Sequence, residues 1–120
     1  MKKLSKVEVT KKLKRLAGWK LVKGQNAITK IFKFKDFTEA FGWMTSMALY
    51  AEKKDHHPEW FNVYSKVEVT LSTHDAGGVT NLDIDMAREM NRRRKSIAKI
   101  YKKTVLMLFV LSLYEQEVSH

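Results

Sequence analysis

The chain has no cysteine, a single proline and only five glycines among its 120 residues. Without cysteine it can form neither a disulfide framework nor a thiolate metal site. The longest almost wholly apolar stretch, residues 105–114, has about half of the roughly twenty residues that a transmembrane helix needs. No apolar signal region follows Met1. We therefore expect a cytoplasmic protein that does not span a membrane.

The amino-acid composition is typical of a single globular domain. Hydrophobic residues make up 44% and charged residues 30% of the 14.0 kDa chain, which is long enough to bury a single core without disulfides. The regular patterns end near residue 91. We therefore predict one domain over residues 1–91, followed by a basic and then apolar C-terminal extension over residues 92–120. We expect the extension to be helical; it either continues the preceding helix and is buried against a neighbour, or forms a helix or strand of its own.

The positive charge is unevenly distributed. The formal net charge is +10, but residues 1–35 carry twelve Lys or Arg against one acid, and residues 36–91 carry four against ten. Residues 92–120 carry seven against two. A strongly basic chain raises nucleic acid as a partner, whereas basic runs more often serve as solvated faces. Because the middle of the chain is acidic, we expect no direct binding of nucleic acid.

The N-terminal third predicts a helix and a hairpin. Ser5 and Glu8 form a capping box, and the apolar periodicity that follows predicts a helix over residues 5–17. Residues 19–23 and 27–35 are rich in β-branched and aromatic residues and flank a turn, so they predict two antiparallel strands.

A second helix is predicted over residues 37–54. Asp36 and Glu39 form another capping box. The apolar stripe that we expect to face the core comprises Phe37, Ala40, Phe41, Met44, Met47, Ala48 and Ala51. Trp43 and Tyr50 lie on a different face of this helix. They predict either a second packing surface, such as a subunit interface, or a wide stripe facing the core.

The following segment repeats the strand pair and the helix. Residues 60–64 predict a third strand, and residues 66–72 alternate between apolar and polar side chains, as in a half-buried fourth strand. A third helix then starts near Thr80 and is expected to carry four side chains inward: Leu82, Met86, Ala87 and Met90. The order α-β-β-α-β-β-α predicts an α+β two-layer sandwich, with a four-stranded antiparallel sheet and three helices on one face.

Three of the four histidines, His56, His57 and His74, lie within nineteen positions of one another. One interpretation is that they are polar loop residues whose hydrogen bonds are satisfied and that have no chemical role. They are also compatible with a zinc site, although adjacent ligands on one loop give poor geometry and the helical i, i+4 pair is missing. The third interpretation is acid–base catalysis, because imidazole titrates near neutral pH. Position alone names no reaction.

The residues around these histidines resemble the pterin-4a-carbinolamine dehydratases. The similar segments read EKKDHHPEWFNVY over residues 52–64 and KVEVTLSTH over residues 66–74. The family pattern has an acidic residue before the histidine pair, then an aromatic residue, a third histidine and an aspartate. The matching positions are Glu52, Tyr64, His74 and Asp83. The resemblance covers roughly three quarters of the chain, up to about residue 91.

The resemblance implies a hydro-lyase that removes water from a 4a-hydroxytetrahydropterin in tetrahydrobiopterin recycling, with no metal and no other cofactor. The implied catalytic residues are His56, His57 and His74. Of these, His56 and His74 are expected to form the acid–base pair, while His57 orients the pterin. The implied substrate-binding residues are Glu52, Asp55, Trp19, Trp60 and Asp83. For each of the two tryptophans, packing in the core is an equally good interpretation.

The resemblance also implies partners. Family members form homodimers through sheet edges and homotetramers through a helix face. In animals the same fold serves as a dimerisation cofactor of a liver homeodomain transcription factor. This gives a non-enzymatic alternative, with a transcription-factor partner and a nuclear location besides the cytoplasmic one. A non-catalytic member would be expected to lose one of the histidines, and this chain retains all three.

The chain departs from the family pattern at two places. Animal members carry an arginine, thought to line the pocket, where this chain has Leu82. The extension after Asn91 has no counterpart in the compact family members.

Overall fold

The structure is a computed structural model that describes residues 1–118, so the fourth histidine, His120, lies outside the described residues. The elements in chain order are α1 (Lys6–Leu13), β1 (Lys20–Leu21), β2 (Ile28–Lys33), α2 (Phe37–Lys54), β3 (Glu59–Val63), β4 (Lys66–Leu71) and α3 (Asn81–Val118). One 3₁₀ turn, His74–Ala76, lies between β4 and α3. The predicted α+β order is confirmed.

The four strands form one antiparallel sheet in the order β1-β2-β4-β3. The hairpin of β3 and β4 is joined to the first hairpin through β2, which pairs with β4 so that Phe32 lies opposite Val67. Along β4 the side chains of Val67, Val69 and Leu71 are buried, as the alternation predicts. Strand β4 therefore lies at the centre of the sheet and β3 at one edge. The chain segments that carry the histidines adjoin the ends of these two strands.

The core lies between one face of this sheet and the helices. Trp43 of α2 packs against Phe32, with ring centroids 4.6 Å apart, and its indole N–H donates to the Met90 carbonyl oxygen at 3.1 Å. From α3, Met86, Ala87 and Met90 are buried as predicted, whereas Leu82 is only half-buried and Ile84 takes the fourth core position. Helices α2 and α3 are thus fixed to each other and to the sheet, and their ends on one side of the molecule are held close together.

Helix α1 is shorter than predicted. The Ser5–Glu8 capping box is present, but the helix ends at Leu13 rather than at residue 17. The apolar periodicity continues because Leu16 is buried, yet residues 14–17 reach the core through turns that lead to Gly18 at φ 83°. Apolar spacing alone does not distinguish a helical turn from an irregular one.

Helix α2 has the predicted bounds, but its buried stripe differs. Phe37 and Phe41 are 48% and 56% exposed, whereas Trp43 has no exposed surface. The expectation of a second packing surface at Trp43 is therefore wrong, and the alternative of a core-facing position is what the structure shows. Tyr50 is half-buried against the core, and the guanidinium carbon of Arg93 lies 5.4 Å from its ring centroid.

Helix α3 runs unbroken past residue 91, so the predicted domain boundary coincides with no break in secondary structure. Among the side chains that the structure describes, Ile97 is the last one of the helix that packs against the core. Beyond it the helix projects from the domain, and the molecule measures 67 × 25 × 23 Å. Its radius of gyration of 18.1 Å exceeds the roughly 14 Å expected of a compact domain of this length.

Candidate active site

The three histidines line one cavity of about 350 Å³, which lies where α2 ends, β4 ends and α3 begins. The other residues that line it are Met1, Asp55, Ser72, Thr73, Asp75, Ala76 and Leu82. Small-molecule sites have volumes of about 300–1,000 Å³. The cavity is therefore large enough for a bicyclic heterocycle.

The end of α2 separates the two adjacent histidines. Asp55 caps the helix in the left-handed conformation at φ 49°, and the His56 backbone N–H donates to the Ala51 carbonyl oxygen at 3.0 Å. Left-handed backbone is uncommon outside glycine and is enriched in Asp and Asn. This reversal puts the His56 side chain in the interior at 9% exposure and leaves that of His57 54% exposed.

His56 is held by a buried carboxylate. Its Nε2 lies 2.6 Å from Oδ1 of Asp83, which has no exposed surface. The second oxygen of Asp83 accepts from the Thr73 hydroxyl at 2.8 Å and from the Thr80 backbone N–H at 2.9 Å. The Thr80 hydroxyl in turn lies 2.8 Å from that of Thr73. The same carboxylate thus fixes one imidazole and caps the start of α3.

His57 and His74 have carboxylate partners of their own. Nε2 of His57 lies 2.5 Å from Oε1 of Glu52, one turn earlier on α2. Nε2 of His74 lies 3.2 Å from Oε1 of Glu59 on β3. Both pairs are exposed. All three imidazoles at the cavity are therefore joined to an acid through the same ring nitrogen.

This arrangement determines which ring nitrogen is available for chemistry. An ionised carboxylate only accepts hydrogen bonds, so Nε2 carries the proton in the two hydrogen-bonded pairs, His56–Asp83 and His57–Glu52. The neutral imidazole then has its lone pair on Nδ1, and the protonated imidazole has a second donor there. These two rings can take up or give a proton at Nδ1 without breaking their bonds to the carboxylates. The arrangement is suited to proton transfer.

The structure does not bring the two tryptophans to this cavity. Trp19 is a core residue whose indole N–H donates to Oδ1 of Asn91 at 3.1 Å. Trp60 is half-buried on β3, with its ring centroid 6.2 Å from that of Trp43. For both residues the structure shows core packing. Asp83 likewise lies beneath His56 rather than on the cavity wall.

Sequence reasoning missed three residues of this site. Glu59 is distant from His74 along the chain and is placed beside it by the pairing of β3 with β4. Thr73 and Thr80 complete the bonds of Asp83. A signal for Thr80 was present, since Thr80 and Asp83 have the spacing of a helix N-cap and its third residue. No local signal identifies Glu59.

Comparison with known proteins shows the family of the chain. The family model described as pterin 4 alpha carbinolamine dehydratase matches residues 2–93. The chain belongs to this family. A Brucella ovis protein with the provisional name pterin-4-alpha-carbinolamine dehydratase is 60% identical over 88 residues, which cover 73% of this chain and 91% of that protein. A Brucella abortus protein with the same provisional name matches equally well.

The pterin dehydratase fold is also seen in a solved relative. The crystal structure of a Brucella melitensis protein, described as a transcriptional coactivator/pterin dehydratase, is 59% identical. It superposes with a TM-score of 0.74 and covers 75% of this chain and 96% of that one. The region that the family model matches contains all three histidines and their carboxylates, while most of the projecting part of α3 lies beyond it.

Two further properties concern residues 1–118. Within this range no helix is long and apolar enough to cross a bilayer. No group of three or more His, Asp or Glu side chains in the same range is arranged to hold a metal ion.

Proposed function

We propose that this family member is a pterin-4a-carbinolamine dehydratase, which removes water from a 4a-hydroxytetrahydropterin to give the quinonoid dihydropterin. The observation that carries the proposal is the set of three histidine–carboxylate pairs around one cavity. The family to which the chain belongs supports this substrate class. The reaction would serve tetrahydrobiopterin recycling in the cytoplasm.

The chemistry requires two proton transfers and no redox step. The C4a–O bond breaks as the leaving hydroxyl takes up a proton and departs as water, and N5 loses its proton as the double bond to C4a forms. One acid and one base at the pterin therefore suffice, and imidazoles titrate in the range that allows both roles near neutral pH. The proposal includes no metal and no organic cofactor.

We assign the acid and the base to His56 and His74, which line the same cavity from different segments, His56 after α2 and His74 after β4. The buried Asp83 fixes the ring of His56 in one orientation. His57, held by Glu52 at the cavity rim, orients the pterin. Asp55 lines the same cavity and is placed to accept a hydrogen bond from the polar edge of the ring.

The test is the rate of dehydration of a synthetic 4a-hydroxytetrahydropterin. We expect the wild type to exceed the spontaneous rate, and His56→Ala and His74→Ala each to lower kcat by about 100-fold or more. We expect His57→Ala to raise KM more than it lowers kcat. A wild type no faster than the buffer reaction would contradict the enzyme proposal. Full activity in both His56→Ala and His74→Ala would contradict the assigned roles.

The description of the Brucella melitensis relative as a coactivator favours one second candidate function, the binding of a transcription factor's dimerisation segment. This candidate needs the folded surface but not the imidazoles. A His74→Ala variant would then bind such a segment as well as the wild type does, measured by calorimetry, while losing dehydration. We expect assembly into a homodimer or homotetramer in either case.

A further inference from the structure

The end of helix α3 carries a large apolar surface that nothing in the described chain covers. Eight side chains between residues 106 and 114 are 48–66% exposed: Leu106, Met107, Leu108, Phe109, Val110, Leu111, Leu113 and Tyr114. Successive residues of a helix are about 100° apart, so consecutive apolar residues surround the helix on every side. A helix that is apolar all round requires burial by other protein or by lipid.

Charges lie at the two ends of this apolar segment, with opposite signs. Exposed lysines precede it at positions 99, 102 and 103, and exposed acids follow it at Glu115 and Glu117. Arg92 and Arg93, closer to the domain, share the single carboxylate of Glu89 and so contribute less free charge than two unpaired cations would. The projecting helix is thus positive at its base, apolar in its middle and negative at its outer end.

We propose that this helix pairs with the same helix of a second copy of the chain, in antiparallel orientation, about a twofold axis near Leu108. In that register Lys99 of one copy is level with Glu117 of the other, and Lys102 is within one residue of Glu115. A parallel pair would place lysine beside lysine and glutamate beside glutamate, which is unfavourable.

The spacing along the helix fits such a pair. Lys99, Lys103, Leu106, Val110, Leu113 and Glu117 follow one another at intervals of four, three, four, three and four residues. This is the alternation of coiled-coil core positions, which places the six side chains in one seam. In the antiparallel register Leu106 meets Val110 and Lys103 is level with Leu113. The outer faces of the pair are also apolar, so two pairs can stack into a four-helix bundle.

The shape of the molecule permits this contact. Residues 98–117 span about 30 Å at 1.5 Å per residue, and the described side chains from Leu106 to Leu111 are exposed rather than packed on the core. Two antiparallel helices of this length hold their globular domains at opposite ends, where they do not collide. A lipid bilayer is the other possible cover, but inserting the outer end would carry Glu115 and Glu117 into the hydrocarbon, which is costly.

The first test is the molar mass of the full chain by sedimentation equilibrium. The variant Leu106→Glu/Val110→Glu places acids in the seam, and we expect it to lower the molar mass to half that of the wild type or less. Val7→Glu is the matched control, because Val7 is 66% exposed on α1, and we expect it to change nothing. Neither variant changes a sheet edge or α2. A difference in molar mass between the two variants therefore reports on contacts of the extension alone.

The second test is a charge exchange. We expect Lys99→Glu to raise the dissociation constant about tenfold, and Lys99→Glu/Glu117→Lys to restore it. Orientation is tested by disulfide formation, since the chain has no cysteine of its own. A mixture of Lys103→Cys and Leu113→Cys chains should cross-link to each other and not to themselves.

Three results would overturn the proposal. One is an unchanged molar mass in the seam variant. Another is preferential self-cross-linking of each cysteine variant, which indicates a parallel pair. The third is a seam variant that has the same molar mass as the wild type but, unlike the wild type, does not sediment with vesicles of phosphatidylserine and phosphatidylcholine. That result would indicate a lipid partner.

Discussion

Asp83 serves two structures at once, the orientation of His56 and the start of α3. Its oxygens accept from His56 on one side and from Thr73 and the start of α3 on the other. It has no exposed surface, so water cannot replace any of these bonds when one is lost. A change at Asp83 therefore affects both folding and chemistry, and the two effects must be measured separately.

We predict that Asp83→Asn lowers kcat by roughly 100-fold or more while KM changes little. The amide presents a donor where His56 or Thr80 requires an acceptor, so the ring loses its fixed orientation. Steady-state dehydration over pH 6–9 checks this. Thr73→Val is the control: it removes one bond to Asp83 and costs about 1–2 kcal/mol of stability, but it keeps the carboxylate, so its kcat should stay within a few-fold of the wild type. Equal kcat losses in both variants would show that Asp83 acts through stability alone.

Leu82 is the cavity residue at which this chain departs from its animal relatives. Its half-buried side chain lines the cavity beside the histidines, and the animal arginine at this position would offer donors to the pterin. We predict that Leu82→Arg lowers KM several-fold with kcat unchanged, because a cation there contributes binding rather than proton transfer. Leu82→Met, which keeps the wall apolar, is the matched control. A KM that moves equally in both variants would contradict the prediction.

At the scale of elements, the contact between α2 and α3 includes a network around Glu89. The hydrogen bond from Arg92, followed by that from Arg93, lowers the pKa of Glu89 from 4.5 to about 2. Arg93 also donates to the Ser46 carbonyl oxygen at 2.8 Å, so the network joins the two helices. Because the pKa is lower in the folded chain, this contribution to stability is present above pH 4.5 and is lost as the pH falls toward 2.

We predict that Glu89→Gln lowers the free energy of unfolding at pH 7 by up to about 1 kcal/mol, since the network is partly exposed. The difference from the wild type should shrink between pH 4.5 and pH 2, where Glu89 of the wild type becomes protonated. Urea unfolding at several pH values measures this. Glu68→Gln, on the exposed face of β4, should show no such pH dependence. A deficit that persists unchanged at pH 2 would rule out charge as its origin.

The elements also show where sequence reasoning succeeds. Helix α2 and strand β4 have strong periodic patterns, and their predictions agree closely with the structure. The prediction for α1 was too long, and those of Phe37 and Phe41 as core residues were wrong, because periodicity does not reveal where the neighbouring elements lie. The cluster of histidines was visible in the sequence. The Glu59 partner and the burial of His56 depend on tertiary placement, which no local pattern encodes.

At the scale of the whole molecule, the chain has two parts that differ in stability when it is alone. The domain has a continuous core, whereas the apolar side chains described between residues 106 and 114 are exposed. Most helical stability in proteins comes from tertiary packing of an apolar face. We predict that amide hydrogen exchange of residues 98–117 slows as the protein concentration rises, while exchange in β2 stays constant. Concentration-independent exchange in both segments would contradict association through the helix.

The left-handed residue at the end of α2 has a consequence for redesign. The left-handed backbone at Asp55 directs the side chains of His56 and His57 into different surroundings, that of His56 into the interior and that of His57 to the rim of the cavity. Their difference in role arises from backbone geometry, since their chemistry is the same. Libraries that vary the length of this connection, with every side chain kept, would therefore exchange the protein-facing and solvent-facing imidazoles and sample new proton-transfer arrangements on an unchanged scaffold.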